Sequence, residues 1–108
     1  MREASVRVHG EIAAVLAEVE RGHRYVLRYV DDYTGPPVSL ALPVRPEPYA
    51  FDEFPPFFDG LLPEGSQLEA LLRRAKLDAD DHLGQLLAVG GDLVGAVTVS
   101  ALEPGGRA

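Results

Sequence analysis

Apolar and polar residues alternate in two segments of the N-terminal part of the chain. In residues 4–9, Val6 and Val8 alternate with polar neighbours, and in residues 25–30 Tyr25, Leu27 and Tyr29 fall on one face. Successive side chains of a strand point to opposite faces, so a period of two is typical of a strand with one buried face. Both segments are predicted to be β-strands.

The segment between them, residues 11–21, has two interpretations. Ile12, Val15, Leu16 and Val19 recur at the spacing of one helix face. However, the segment is bracketed by glycines at 10 and 22, at a spacing typical of hairpins between strands. The periodicity taken alone favours a helix, and the residues themselves leave both structures open.

Two helices and a closing strand are predicted in the C-terminal part. Ser66 and Glu69 fit a capping box at the start of the first helix, and Asp78 is placed as the N-cap of the second. Gly90-Gly91 predicts the end of that helix, and the apolar run 93–99 predicts the strand. The two apolar stripes predict a set of core leucines, namely Leu68, Leu71, Leu72, Leu83, Leu86 and Leu87.

Prolines divide the chain. Eight of the nine lie between Pro36 and Pro63, and proline excludes a long helix or a central strand there. This crossing contains three phenylalanines within residues 54–58. They are expected either to pack inward from a short helix begun by Pro55 and Pro56, or to face a partner. We expect one domain over residues 1–102 and a flexible tail over 103–108.

The amino-acid composition argues against several classes of function. The 108 residues include no cysteine, which excludes disulfides and cysteine-ligated metals. The formal net charge is -7, which disfavours direct binding to nucleic acid or to an anionic membrane surface. The N-terminus lacks the apolar segment of a secretory signal, and no apolar run approaches the roughly 20 residues of a membrane helix. A cytoplasmic location is therefore expected.

No local motif of catalysis is present. His9, His23 and His82 lie in no recognisable nucleophile–base signature. The acidic residues before His82 are better explained as a helix N-terminus than as a metal site. The glycine-rich segment 90–95 lacks the lysine and hydroxyl residue of a phosphate loop. We therefore predict no catalytic residue, no cofactor and no metal.

Three blocks of the chain carry a resemblance to a known family. They are Ser39-Leu40-Ala41-Leu42-Pro43, then residues 56–65 with Phe57-Phe58-Asp59-Gly60-Leu61-Leu62-Pro63-Glu64-Gly65, then residues 80–97 with Gly91-Asp92-Leu93-Val94-Gly95-Ala96-Val97. In this order and spacing they resemble the N-terminal subdomain of HipA-type toxin kinases over roughly residues 5–100.

The resemblance implies a fold. It implies an α+β domain with a small N-terminal antiparallel sheet, a proline-rich crossing, two to three short helices and a closing strand. In the family the counterpart of residues 11–18 is a strand. The expected strands are 4–9, 11–18, 24–30, 39–42 and 93–100, and the expected helices are 54–61, 66–76 and 79–89.

The resemblance also implies partners. A HipA-type toxin continues into a kinase body, whereas this chain is similar to HipS, the small subunit of tripartite HipBST toxin–antitoxin systems. That similarity implies a non-catalytic antitoxin that binds and neutralises a HipT- or HipA-like Ser/Thr kinase, in a complex with a HipB-like helix-turn-helix protein. The alternative is a structural subunit that completes the kinase and bridges it to that protein without inhibiting it.

The polar turn before the 66–76 helix is predicted to contact the kinase. Such a turn projects from the core and can reach a neighbouring cleft. If the turn is not the interface, the open face of the sheet around Arg7 and Arg28 is the next candidate. The predicted partner-binding residues are Phe58, Leu62, Pro63, Glu64, Gly65, Ser66 and Gln67.

Overall fold

The computed structural model describes residues 1–93 and 95–102, and these form an α+β domain as predicted. The proposed tail, 103–108, lies outside the described residues, as does Val94 within the predicted closing strand. The elements in chain order are β1 (Arg2–Val8), β2 (Glu11–Glu20), β3 (Arg24–Tyr29), β4 (Tyr49–Phe51), α1 (Pro56–Asp59), α2 (Gly65–Ala75), α3 (His82–Val89) and β5 (Val97–Ala101).

The five strands form one antiparallel sheet in the order β4-β3-β2-β1-β5. A two-residue turn joins β1 to β2, and both of its residues, His9 (φ 51°) and Gly10 (φ 82°), are left-handed. Two left-handed residues match the twist of a tight hairpin. The segment 11–20 is therefore a strand, as the resemblance implied, and the helix favoured by periodicity alone is wrong. Pairing with β1 on one side and β3 on the other outweighs the helical propensity of its alanines.

The proline-rich crossing contains a strand at a different place from the one expected. Residues 39–42 make only an isolated bridge between Ser39 and Leu42, because the segment turns back on itself and the Leu42 amide donates to the Ser39 carbonyl at 2.9 Å. The strand is β4, which pairs with β3 at the sheet edge. The loop is fastened instead by the Tyr29 hydroxyl, which donates to the Leu42 carbonyl and accepts from the Val38 amide.

Both predicted helix caps are wrong. The N-cap of α2 is Glu64, with no side-chain cap bond, and Ser66 lies inside the first turn. The N-cap of α3 is Asp81, whose carboxylate accepts the Gly84 amide at 3.1 Å. Asp78 lies upstream, where its carbonyl accepts from the Asp81 amide. The predicted end of α3 is confirmed, since Val89 is its last residue and Gly90 its C-cap.

The helices lie on one face of the sheet. Phe58, Leu83 and Leu86 are fully buried in one core with the inward residues of the strands, which include Leu16 and Leu27. The predicted leucine stripe is confirmed for Leu71, Leu83 and Leu86, whereas Leu68, Leu72 and Leu87 are only partly buried. On the opposite face, within the described ranges, the side chains of Arg28, Ala50 and Ser100 are exposed, so this face is largely open to solvent.

Candidate functional site

Residues 62–67, which comprise the end of the loop after α1 and the first residues of α2, are called here the α1–α2 turn. Glu64, Gly65, Ser66 and Gln67 are exposed, while Leu62 and Pro63 are half-buried. Gly65 is left-handed (φ 59°) at the entry to α2. A left-handed backbone strongly favours glycine. The turn therefore presents a polar tip on an apolar base, as its sequence predicted.

Phe58 does not belong to this exposed surface. Its side chain has no solvent exposure and packs edge-to-face on Phe57, with ring centroids 5.1 Å apart. Phe58 is therefore a core residue, and its contact with a partner stays a prediction. In α1, a helix of only four residues, the core takes one face, and Phe58 rather than the partly exposed Phe57 points into it.

Two open clefts flank the α1–α2 turn. One, of about 290 Å³, lies against α3 and is lined by Asp59, Leu62, Glu64 and His82, among others. The other, of about 490 Å³, reaches the segment that follows α3 and is lined by Leu62, Arg74 and Asp92, among others. In the part of the chain that the structure describes, neither Asp59 nor Glu64 takes part in a salt bridge. The turn is thus a partly apolar surface with one carboxylate of its own, Glu64, and the carboxylate of Asp59 beside it.

A partly buried charge network connects the N-terminus of α3 to the sheet. The Arg2 guanidinium donates to Glu18 and to Asp81, each at 2.8 Å. The Glu18 side chain is almost fully buried, and its other oxygen accepts from the Tyr25 hydroxyl and the Gly22 amide, both at 3.1 Å. Burial together with the neighbouring Glu18 charge raises the pKa of Tyr25 to about 12. Sequence reasoning missed this network because Arg2 and Asp81 are 79 positions apart and no local pattern links them.

The network predicts a pH dependence of stability. The hydrogen bond from Arg2, aided by the Gly84 amide, lowers the pKa of Asp81 in the folded state. A carboxyl with a lowered folded pKa contributes stability above its unfolded pKa of about 3.9, and this contribution is lost as the pH falls further. Asp81→Asn keeps an N-cap oxygen but loses the charge. We expect it to cost about 1–2 kcal/mol at pH 7 and progressively less below pH ~4.

Thermal unfolding of the wild type and of Asp81→Asn between pH 2.5 and 7 measures this difference. Asp80→Asn is the matched control, because Asp80 is exposed and lies outside the network. A constant difference across that pH range would show that the ionised Asp81 carboxylate contributes nothing through its charge.

The described residues show no other constellation of reactive groups. His9 and His23 lie in the two hairpin turns, and His82 stacks on Phe54 with ring centroids 5.5 Å apart. No group of three or more histidine and carboxylate residues in ranges 1–93 and 95–102 is arranged to hold a metal. Over the same ranges, no helix is long and apolar enough to cross a membrane.

Comparison with known proteins identifies the class of domain. The model of the HipA N-terminal domain family matches residues 4–100, so the chain belongs to that family. A solved structure, the N-terminal domain of HipA toxin, superposes with a TM-score of 0.73 at 29% identity, covering 95% of this chain and 94% of that one. The family implied by the three sequence blocks is thereby confirmed.

The relatives that contain this domain differ in length. An uncharacterized protein of Haemophilus influenzae is 32% identical over 92% of both chains. Two Sinorhizobium fredii proteins, the putative kinases Y4mE and Y4dM, are 37% and 34% identical over 70% and 91% of this chain. The matched segment spans only 18% and 26% of those two kinases. The chain therefore corresponds to a minor part of the kinases and to nearly the whole of the Haemophilus protein.

Proposed function

We propose that this protein is a non-catalytic module that binds a HipA-type Ser/Thr kinase and neutralises it. The observation that carries the proposal is that this family's domain occurs in relatives both as a minor part of putative kinases and as nearly the whole of a short protein, that of Haemophilus influenzae. Such a module can act on a kinase only by contact, and the acidic α1–α2 turn is the surface we assign to inhibition.

Charge supports this assignment. The turn carries Glu64 at its tip and Asp59 beside it, both free of salt bridges within the described residues. A site that binds nucleotide phosphates is commonly basic, and complementary charge accelerates and orients docking. The module would act in the cytoplasm, where its partners are a HipT- or HipA-like kinase and a HipB-like helix-turn-helix protein in a ternary complex.

The competing function is that of a structural subunit, which completes the kinase and bridges it to the helix-turn-helix protein without inhibiting it. Phosphorylation of a protein substrate by the purified kinase separates the two functions. Neutralisation predicts that the rate falls to background as this protein is added to an equimolar amount. A structural role predicts an unchanged or increased rate with the same binding.

Glu64→Arg tests the turn directly. Glu64 is exposed at the N-cap and makes no side-chain cap bond, so the substitution should change stability by less than about 1 kcal/mol. Reversal of this charge should weaken inhibition at least tenfold if the turn enters a basic cleft. Glu47→Arg, at an exposed site in the proline-rich loop, is the matched control and should inhibit as well as the wild type.

Ser66→Asp gives an independent test of the same surface. Ser66 is not the cap, and α2 has no acidic residue in its first turn. An added carboxylate there should preserve or slightly raise the melting temperature by interacting with the helix dipole. Near bound phosphates or acidic groups of the kinase the same carboxylate should weaken inhibition. Full inhibition by both variants would show that the α1–α2 turn is not the inhibitory surface.

A further inference from the structure

The sheet face opposite the helices, called here the open sheet face, is built around Ser5, Arg7, Val15, Ala17, Val26 and Arg28. Strand register places these residues side by side. Val15 pairs with Ser5 on one side and Arg28 on the other, and Ala17 pairs with Val26. Arg7 lies on β1 two residues beyond Ser5, where its guanidinium reaches the Ser100 hydroxyl at 3.5 Å.

The side chains at the centre of this face are less polar than those of a typical solvent-exposed sheet face. The solvated face of an antiparallel sheet is usually polar. Here the central positions are apolar and small, with Val15 and Val26 only partly exposed and Ala17 buried. Short side chains keep the face flat, and Ser5 and Ala17 are buried between their neighbours. The apolar area open to a partner is therefore that of Val15 and Val26, bordered by charged residues, an arrangement typical of an interaction site.

The charge of the open sheet face is opposite to that of the whole protein. Arg7 and Arg28 flank its apolar centre, and Glu3 lies on the same face. At the end of the face Arg24 and Glu20 form a salt bridge with each other at 3.5 Å, so their charges offset. The chain as a whole has a net charge of -7. A protein surface that fits this face therefore carries apolar side chains bordered by carboxylates, the reverse of the basic cleft that fits the α1–α2 turn.

The longer relatives indicate which protein supplies that surface. In the putative kinases Y4mE and Y4dM the segment matched by this chain is 18% and 26% of the whole, so a much larger body accompanies it. The inward face of the sheet is already filled by helices. The open sheet face is the apolar sheet surface left for packing against such a body.

We propose that the open sheet face is the attachment surface for the body of a HipA-type kinase. This inference rests on the proposed function and adds a second contact to it. The open sheet face and the α1–α2 turn lie on opposite layers of the domain, so each can be altered without touching the other. The open sheet face sets the affinity for the kinase, and the turn sets the inhibition.

Reversal of both face charges tests the attachment. The double variant Arg7→Glu/Arg28→Glu is compared with Arg73→Glu/Lys76→Glu, which changes the net charge equally at exposed positions of the helical layer. The probe is a purified HipA-type kinase of the source organism that lacks this domain, and the measurement is its dissociation constant by calorimetry. We expect at least tenfold weaker binding for the face variant and less than a twofold change for the control. At saturating concentration the face variant should still inhibit.

Each other outcome is decisive. If the wild type does not bind the kinase, the proposed function is wrong and this inference is wrong with it. If the wild type binds and the face variant binds equally tightly with an unchanged melting temperature, only the attachment surface is wrong. If light scattering shows that the wild type is a dimer and the face variant a monomer, the face is covered by a second copy of this chain, which also overturns the inference.

Discussion

Phe58→Ala is expected to lower the free energy of unfolding by about 3–5 kcal/mol, the usual cost of removing a buried aromatic side chain. Phe58 is fully buried between α1 and the sheet, where it contributes to the core with Leu83 and Leu86. A small domain has a total stability of roughly 5–15 kcal/mol. The substitution should therefore remove a large share of the stability, as measured by urea denaturation followed by circular dichroism.

The neighbouring phenylalanine provides the control. Phe57 is partly exposed, so Phe57→Ala should cost less than half as much. This comparison also decides how a binding defect at position 58 is interpreted. A loss of kinase binding by Phe58→Ala indicates contact only where denaturation shows that the variant is folded under the conditions of the binding measurement. A cost below about 1 kcal/mol would contradict the placement of Phe58 in the core.

Gly90→Ala is expected to cost about 3 kcal/mol, at the upper end of the range for added atoms in a packed site. Gly90 is buried at the C-cap of α3, and its carbonyl accepts from the Val99 amide at 3.0 Å. A Cβ there would collide with the Val99 carbonyl oxygen of β5. Both partners are backbone held by a helix end and a strand, so neither can move aside cheaply.

The adjacent glycine is a matched control for this effect. Gly91 is exposed, and a Cβ on it would meet no atom of the described residues within 4 Å. Gly91→Ala should therefore change the melting temperature little, since removing glycine also restricts the unfolded chain. If the two substitutions lower the melting temperature equally, the contact between α3 and β5 does not restrict the size of the side chain at position 90.

The Gly90-Gly91 pair shows which features a local motif predicts and which depend on tertiary contacts. Gly90-Gly91 is visible in the sequence as a helix stop, and the helix does end there. The sequence cannot distinguish the two glycines, because a stop signal is local whereas the approach of Val99 is a contact between α3 and β5. The same limit explains the missed β4, whose pairing with Leu27 and Val26 is made across a long proline-rich loop.

Local patterns were sufficient where the deciding interactions are local. The alternation at 25–30, the apolar positions Leu83 and Leu86, and the exposed polar turn with Gly65 all follow from periodicity and turn chemistry. The strand at 11–20 did not follow from periodicity, since the helical spacing of its apolar residues favoured the other structure. It was predicted correctly only through the resemblance to a family.

The sequence by itself therefore determined the fold class, the family and the polar character of the α1–α2 turn. Only the tertiary structure decided that Phe58 is core, that Asp81 rather than Asp78 caps α3, and that Arg2 joins Glu18 to Asp81. It also decided that Val15 and Val26 lie on an uncovered face between two arginines. The physical reason is common to all four. Burial and charge pairing depend on which distant segments meet, and that is set by strand order and by the face on which the helices pack.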